Sequence, residues 1–413
     1  MSNKIAKKSL PLTEIKQDRM VLFLSGFILF CGIIYSFYLG DKIQFWDEQA
    51  YFTIAKNIIS THSYTLDGEN PTAYWPPGYP IFLSLFISLG ASLIQLRIVN
   101  FIAFCFSIYL LYNIAKKLSS PSAGLISVVI VICYPVLFYT AGTLYSQTFG
   151  TTLFMLILFI LFQAETTSVK PFLLVGLLFG YLILTAPTFL FSLFIVSFWV
   201  LIFKKERRIR SSIIILFAAF FVIFLWSARN YSVFNSFVLI STSSGSALIQ
   251  GNSEHTLPNS GPTKEDLLKY YDASRGMNET EANSYLTSKA VEFIKNNKSK
   301  TLKLYFLKTL NYFNYHNEYS GKLGTYTSRF KDIIMLFTYW PLLFIFFLRI
   351  IFLKHFNISK YELLLIVLYL SQAFFLGIFL TRIRYRLPFD LLLIAIVAIF
   401  IYNLISTRKQ TSS

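Results

Sequence analysis

Two adjacent carboxylates, Asp47 and Glu48, and three closely spaced arginines, Arg382, Arg384 and Arg386, are the residues of this 413-residue chain best suited to chemistry. A carboxylate within hydrogen-bond reach of a hydroxyl can take its proton. A guanidinium fork matches the oxygens of a phosphate and stabilises negative charge that develops there. Arg229 is a further candidate for the same anion. Each also has a plainer reading. Asp47 would cap a helix, with Glu48 favoured in its first turn. The arginine trio would anchor to anionic headgroups, and Arg229 would snorkel from the end of a span. His62, His255 and His316 are dispersed, and Cys31, Cys105 and Cys133 fall in apolar runs, so the reading includes no metal, no cofactor and no disulfide framework.

The carboxylates open the stretch Asp41 to Pro80, the first long polar loop. Apolar pairs follow at four-residue steps (Ala50/Tyr51, Ile54/Ala55, Ile58/Ile59), which predicts an amphipathic helix lying on a membrane surface, half in lipid. The loop closes on Trp75-Pro76-Pro77-Gly78-Tyr79-Pro80, a rigid aromatic turn suited to headgroup level. Tyr51, Tyr74, Trp75, Tyr79 and Tyr385 are the candidates for positioning a substrate.

Composition decides the class. The chain is 55% hydrophobic and only 14% charged, where a soluble protein carries roughly 25% charge. Apolar runs of about 17–22 residues are long enough to cross a bilayer. The fold class is therefore an all-α polytopic membrane protein. Spans are expected at about 21–40, 94–115, 123–141, 147–165, two within 171–203, 211–228, 332–353, 360–380 and 388–405, about ten in all, with 78–90 as a half-membrane helix. The net charge of +17 reflects basic inner loops rather than a nucleic-acid partner. Lys4, Lys7, Lys8, Lys116, Lys117, Lys170, the run 204–210, Lys354, Lys360, Arg408 and Lys409 place both termini inside. Asp47 then lies on the external face of a cell (inner) membrane. The expected organisation is an N-terminal transmembrane module at 1–228 with its outer loop at 41–93, an external lobe at 229–331 and a C-terminal transmembrane module at 332–413.

That topology also puts Arg382, Arg384 and Arg386 outside, against the usual bias, so they need an anionic partner. The reaction that best suits a carboxylate and arginines beside lipid is sugar transfer from a polyprenyl-phosphate donor to a hydroxyl. Asp47 would act as base, and arginines would receive the departing phosphate. Direct displacement would invert the anomeric centre. The alternatives are a lipid or glycan transporter or flippase, and a glycan ligase with a diphosphate-linked donor.

Three stretches resemble the dolichyl-phosphate-mannose protein mannosyltransferases (glycosyltransferase family 39) and their bacterial aminoarabinose-transferase relatives, which have the GT-C fold. They are Trp46-Asp47-Glu48-Gln49-Ala50-Tyr51 with Pro76-Pro77-Gly78-Tyr79-Pro80; Trp226-Ser227-Ala228-Arg229-Asn230-Tyr231 with Phe237-Val238 and Gly251-Asn252; and Arg384-Tyr385-Arg386-Leu387-Pro388. The resemblance implies a glycosyltransferase of hexosyl or pentosyl groups, with Asp47 at the place of the catalytic base and the late arginines where lipid phosphate binds. It implies a lipid, glycan or protein acceptor. The chain departs from the pattern at Ser146-Gln147, where relatives carry an acid, and at Ala186-Pro187-Thr188, where they carry an arginine before the Pro-Thr pair.

Overall fold

The computed structural model describes residues 12–164, 168–259, 261–316, 329–352 and 356–411. Lys4, Lys7, Lys8 and Lys354 lie outside them, and the side chains of Arg408 and Lys409 are likewise undescribed. The described chain is helical, with two isolated β-bridges and no named strand among the described residues. In order, the helices are α1 (Leu12–Leu39), α2 (Trp46–Ser60), α3 (Gly78–Ile87), α4 (Leu93–Leu118), α5 (Pro121–Ile132), α6 (Pro135–Ala141), α7 (Ser146–Gln163) and α8 (Lys170–Thr185). A 3-10 turn, Pro187–Phe189, leads into α9 (Leu190–Phe203) and then α10 (Arg208–Phe234). The polar region holds α11 (Ser244–Gly251), α12 (Lys264–Ala273), α13 (Glu279–Asn296) and α14 (Lys298–Tyr312). The last three are α15 (Arg329–Ile351), α16 (Lys360–Ile378) and α17 (Ile383–Thr411).

Among the described residues, seven helices are long and apolar enough to cross a membrane: α1, α4, α7, α10, α15, α16 and α17. The pair α5 and α6, bent by 70°, makes an eighth. The expected count of about ten is reached only with α8 and α9, which are shorter. A 16-residue helix such as α8 is about 24 Å long against a hydrocarbon core of about 30 Å. It is packed between α7 and α10 instead of facing lipid on all sides.

Backbone contact explains that packing. Gly176 and Gly180 sit four apart on α8, and a side chain on either would collide with α10: 2.5 Å from the Ile215 carbonyl oxygen and 2.7 Å from that of Ala219. Small residues at this spacing let two helices touch along their backbones, which supplies the van der Waals contact that holds helices together in lipid.

The two ends of the bundle differ in chemistry. At one end Lys116 pairs with Glu14 at 2.9 Å and Asp18 at 2.8 Å, Lys117 donates to Gln163, Lys204 to the Ala164 carbonyl and Lys360 to that of Phe203. At this end too, Arg349 and Glu362 form a buried two-point ion pair. The opposite end gathers the start of α2, the start of α7 and the start of α17, and there the candidate residues meet.

One expectation is corrected here. The apolar stripe of α2 is turned into the protein over its first two pairs, and only Ile59 at its end is exposed. Ala50, Ile54 and Ala55 are at most 1% exposed, packed in the protein core with α3 alongside. Periodicity shows that a helix has an apolar face but not what covers it.

Replacing Gly180 with leucine should lower the stability of the purified protein by about 1–3 kcal/mol, the usual cost of overpacking. Thermal unfolding in detergent measures this. Gly26→Ala is the control, since a methyl group there meets no atom within 4 Å and alanine suits a helix interior, so its midpoint should not fall.

Candidate active site

The first turn of α2 and the first turn of α17 bring Asp47 and Arg384 together across 337 residues of chain. Arg384 Nη1 donates to Asp47 Oδ2 at 2.7 Å. The pair is neither dry nor open: the side chains are 10% and 28% exposed. Asp47 is at the second position of α2, where unpaired backbone N–H groups favour a negative charge. The Trp75 indole N–H approaches its other oxygen at a long 3.4 Å.

Arg384 is held on every side. Its guanidinium lies over the rings of Tyr145, at 4.7 Å, and Tyr385, at 4.9 Å, and Nη2 donates to the Tyr385 hydroxyl at 2.9 Å. Among the described residues its Nε is buried with no hydrogen-bond partner. A donor left unpaired beside a carboxylate is where an anion's oxygen can accept a hydrogen bond. Tyr145 escaped the sequence reading, although it immediately precedes the Ser146-Gln147 departure.

Glu48 has a different occupation from its neighbour. It is 1% exposed. Oε2 accepts the backbone N–H groups of Gln44 and Phe45, and Oε1 that of Leu144 at 2.7 Å. It thus caps α2 and ties it to the turn before α7. The geometry makes it a positioning residue, in place of the catalytic role expected for it.

The other arginines separate. Arg386 is 1% exposed and faces away from Asp47. Its Nε pairs with Asp390 at 3.1 Å, Nη1 donates to the carbonyls of Tyr312 and Asn314, and the guanidinium lies against the Tyr339 ring. Tyr134 donates to the same Asp390 carboxylate at 2.7 Å. Phosphate binding by Arg386 is therefore not supported: residues two apart on a helix point about 200° apart, so Arg384 and Arg386 cannot share a site. Arg382 is 8% exposed beside the Gly261 turn, 3.5 Å from where a Gly261 side chain would begin. Arg229 stacks on Trp226 at 4.8 Å and donates to the carbonyls of Thr72 and Tyr64. It fastens the first loop to α10.

The aromatic candidates also divide. Trp75 and Tyr385 touch the Asp47–Arg384 pair. Tyr74 reaches towards α11, donating to Ser246 at 3.3 Å, and burial pushes its phenol up to about 12. Tyr51 is packed edge-on to Tyr79 and bonded to Ser146; burial, and next the Asp47 charge, raise its pKa, so it stays a protonated donor. Tyr79 is fully buried and exchanges hydrogen bonds with Asn100, so it supports the core instead of meeting a substrate. Glu279, at the start of α13, was missed as well. It accepts from Thr72 Oγ1 and from the Ala73 N–H, both at 2.7 Å, and clamps the loop just before Trp75.

Three substitutions separate support from chemistry. Arg386→Met should unfold or strongly destabilise the protein, because it strands a buried carboxylate at a cost of about 3–5 kcal/mol. Arg386→Met with Asp390→Leu should regain most of that stability, read by thermal unfolding, and should still bind a phosphate-bearing lipid. Glu48→Gln should cost about 1.5–3 kcal/mol through weakened charge-assisted bonds and an amide N–H turned on a backbone N–H.

Known proteins can be set beside this geometry. Residues 75–229 match the family described as dolichyl-phosphate-mannose-protein mannosyltransferase. Two solved structures of ArnT from Cupriavidus metallidurans are similar. The one bound to undecaprenyl phosphate has 11% identity and a TM-score of 0.44, covering 92% of this chain and 77% of that one. The apo state has 12% identity and a TM-score of 0.43, covering 90% and 76%. No curated protein matches the chain. The family match spans the aromatic turn at Trp75 and runs to Arg229, and over that stretch it bears out the chain's resemblance to the dolichyl-phosphate-mannose-protein mannosyltransferases.

Proposed function

We propose that this protein is an inverting glycosyltransferase that moves a sugar from a polyprenyl-monophosphate donor to an acceptor hydroxyl at the external face of a cell membrane. The observation that carries the reading is the direct Asp47–Arg384 contact. It puts a carboxylate and a guanidinium side by side at one end of a helical bundle, which supports a base and a phosphate-binding cation acting together. The match to a mannosyltransferase family over 75–229 supports the reaction class. Undecaprenyl phosphate, bound to an ArnT of similar outline, is the kind of lipid the reading requires. The lysines and arginines gathered at the opposite end support the sidedness, because such residues are retained on the cytoplasmic side.

The chemistry follows from the pair. A donor phosphate competes with Asp47 for Arg384, using the guanidinium's unpaired Nε first. Release from the ion pair frees the Asp47 carboxylate to accept a hydrogen bond from the acceptor hydroxyl. The acceptor hydroxyl gives its proton to Asp47 as its oxygen bonds to the anomeric carbon. The bond from that carbon to the phosphate oxygen breaks, and the lipid phosphate leaves with an added negative charge that Arg384 meets. Attack opposite the leaving group inverts the carbon. Tyr145 and Tyr385 keep the guanidinium in place through the exchange.

Transfer from a labelled polyprenyl-monophosphate sugar, with purified protein in vesicles, tests this. Asp47→Asn should lower the rate by roughly 10²–10⁴ while donor binding persists, as for loss of a general base. Arg384→Gln should lower it by roughly 10²–10³ and weaken donor binding. Unchanged transfer by folded Asp47→Asn protein would remove the base. A preference for a diphosphate-linked donor would move the protein to the ligase class, and lipid movement without sugar transfer would make it a flippase.

A further inference from the structure

Helix α14 is built inside out for a helix in water. Its buried side carries Lys308, Thr309 and Asn311 beside Leu304 and Tyr312, whereas Leu302, Phe306 and Leu310 form an outward ridge, 58%, 54% and 66% exposed, with Leu307 beside it. A run of large apolar side chains turned outward at steps of four is not a feature of a solvated surface.

The inward face explains the inversion. Lys308 Nζ donates to the carbonyls of Gly251 at 2.7 Å and Phe379 at 2.9 Å, with Ile378 O at 3.4 Å. Asn311 donates to Thr381 Oγ1 and to the Pro258 carbonyl. These groups take up carbonyls left over at the ends of α11 and α16, which would otherwise be buried without donors. α14 also lies flush on a membrane span. A side chain on Gly377 of α16 would strike Thr309 Oγ1 at 2.4 Å and the Tyr305 ring at 3.2 Å. Farther down, Tyr312 packs on Tyr369, midway along α16, and Phe313 on Phe347 of α15. The exposed ridge is therefore level with the upper half of two apolar spans. It is continuous with their own exposed residues, among them Phe374 and Ile378.

We propose that α14 is a membrane-embedded helix of the polar region, its Leu302–Phe306–Leu310 ridge seated among lipid acyl chains of the leaflet at the Asp47 end. The occupant is the bilayer, because the ridge adjoins the lipid-facing surface of α16 and because Lys298, Lys300 and Lys303 crowd the end nearer the water, where phosphate headgroups lie. The region between α10 and α15 is then not wholly an external lobe. Docking of α14 in lipid fixes the depth of the α16–α17 turn that carries Arg382 and Arg384.

The test uses full-length protein in phosphatidylcholine–phosphatidylglycerol vesicles. Nitroxide labels are placed one at a time at 295, 302, 306 and 310, with Cys31, Cys105 and Cys133 replaced by alanine. Collision with oxygen, which concentrates in acyl chains, is compared with collision with a water-soluble nickel chelate. The oxygen-to-nickel ratio at 306 and 310 should exceed that at 295 severalfold. Equal ratios at 306, 310 and 295 would put the ridge in water, and shielding of 306 and 310 from both reagents would mean a protein covers it; either result overturns the proposal. Should the cysteine replacements fail to fold, Phe306→Trp in the native background serves. Lipids brominated on the acyl chain should quench the added emission, and absence of added quenching overturns the proposal equally. Neither readout involves sugar transfer, so the inference stands or falls apart from the enzymatic reading.

Discussion

The contact between Asp47 and Arg384 is the constraint on which the rest of the site depends. One partner opens the first helix after the first span, and the other opens the last helix of the chain. Held 2.7 Å apart and mostly out of water, they cannot tolerate a slip of either helix by even a turn. An ion pair in this setting adds little net stability, because desolvation offsets much of the attraction. Its value is in position. Everything adjoining it works to keep both helix starts fixed: Glu48 on three backbone N–H groups, Arg97 on the carbonyls of Gly40 and Lys42, and Glu279 and Arg229 on the loop between α2 and α3.

The same economy runs through the bundle. Every deeply buried charge named above has a built partner: Arg349 with Glu362, Arg386 with Asp390 and Tyr134, Lys308 with three carbonyls. An ionised group without one would cost several kcal/mol at these depths. Arg384 differs from these in access rather than in pairing: the Asp47 side chain it meets is 28% exposed, whereas Asp390 and Glu362 are closed off. The buried pair that still reaches solvent is the one placed to receive a charged substrate.

Much of this was legible from residues alone, and the part that was not has a physical cause. The spans were readable because crossing a bilayer demands length and apolarity that leave an unmistakable trace. Asp47 stood out by its place after a span, and Arg384 by its defiance of the orientation bias. Arg386 was grouped with Arg384 because charge clusters are read along the chain, whereas a helix start at Ile383 sets the two on opposite sides. Glu48 and Asp47 looked alike for the same reason: two carboxylates side by side, one turned to backbone donors from a distant turn that no local pattern announces. Lys308 and Glu279 were invisible because their partners are main-chain carbonyls and N–H groups, which every sequence possesses.

The inversion of α14 and the misread stripe of α2 teach the complementary lesson. Both helices are amphipathic, and in α2 the periodicity alone predicts lipid on the greasy side. There the greasy side meets protein, and Gln49, Lys56 and Ser60 on the polar side are exposed. In α14 the polar side meets protein, since only buried carbonyls could hold Lys308 and Asn311, and the greasy side is left outward. What decides between these outcomes is the supply of unsatisfied backbone groups nearby. Helix ends at the α11 and α16 termini offer carbonyls and so draw in a polar face. The packed side of α3 presents Tyr79 and Leu83 and so draws in an apolar face. A helix's surroundings thus follow from the hydrogen-bonding debts of its neighbours, and those debts sit at the end of the bundle where α16 gives way to α17 and Arg384 begins its approach to Asp47.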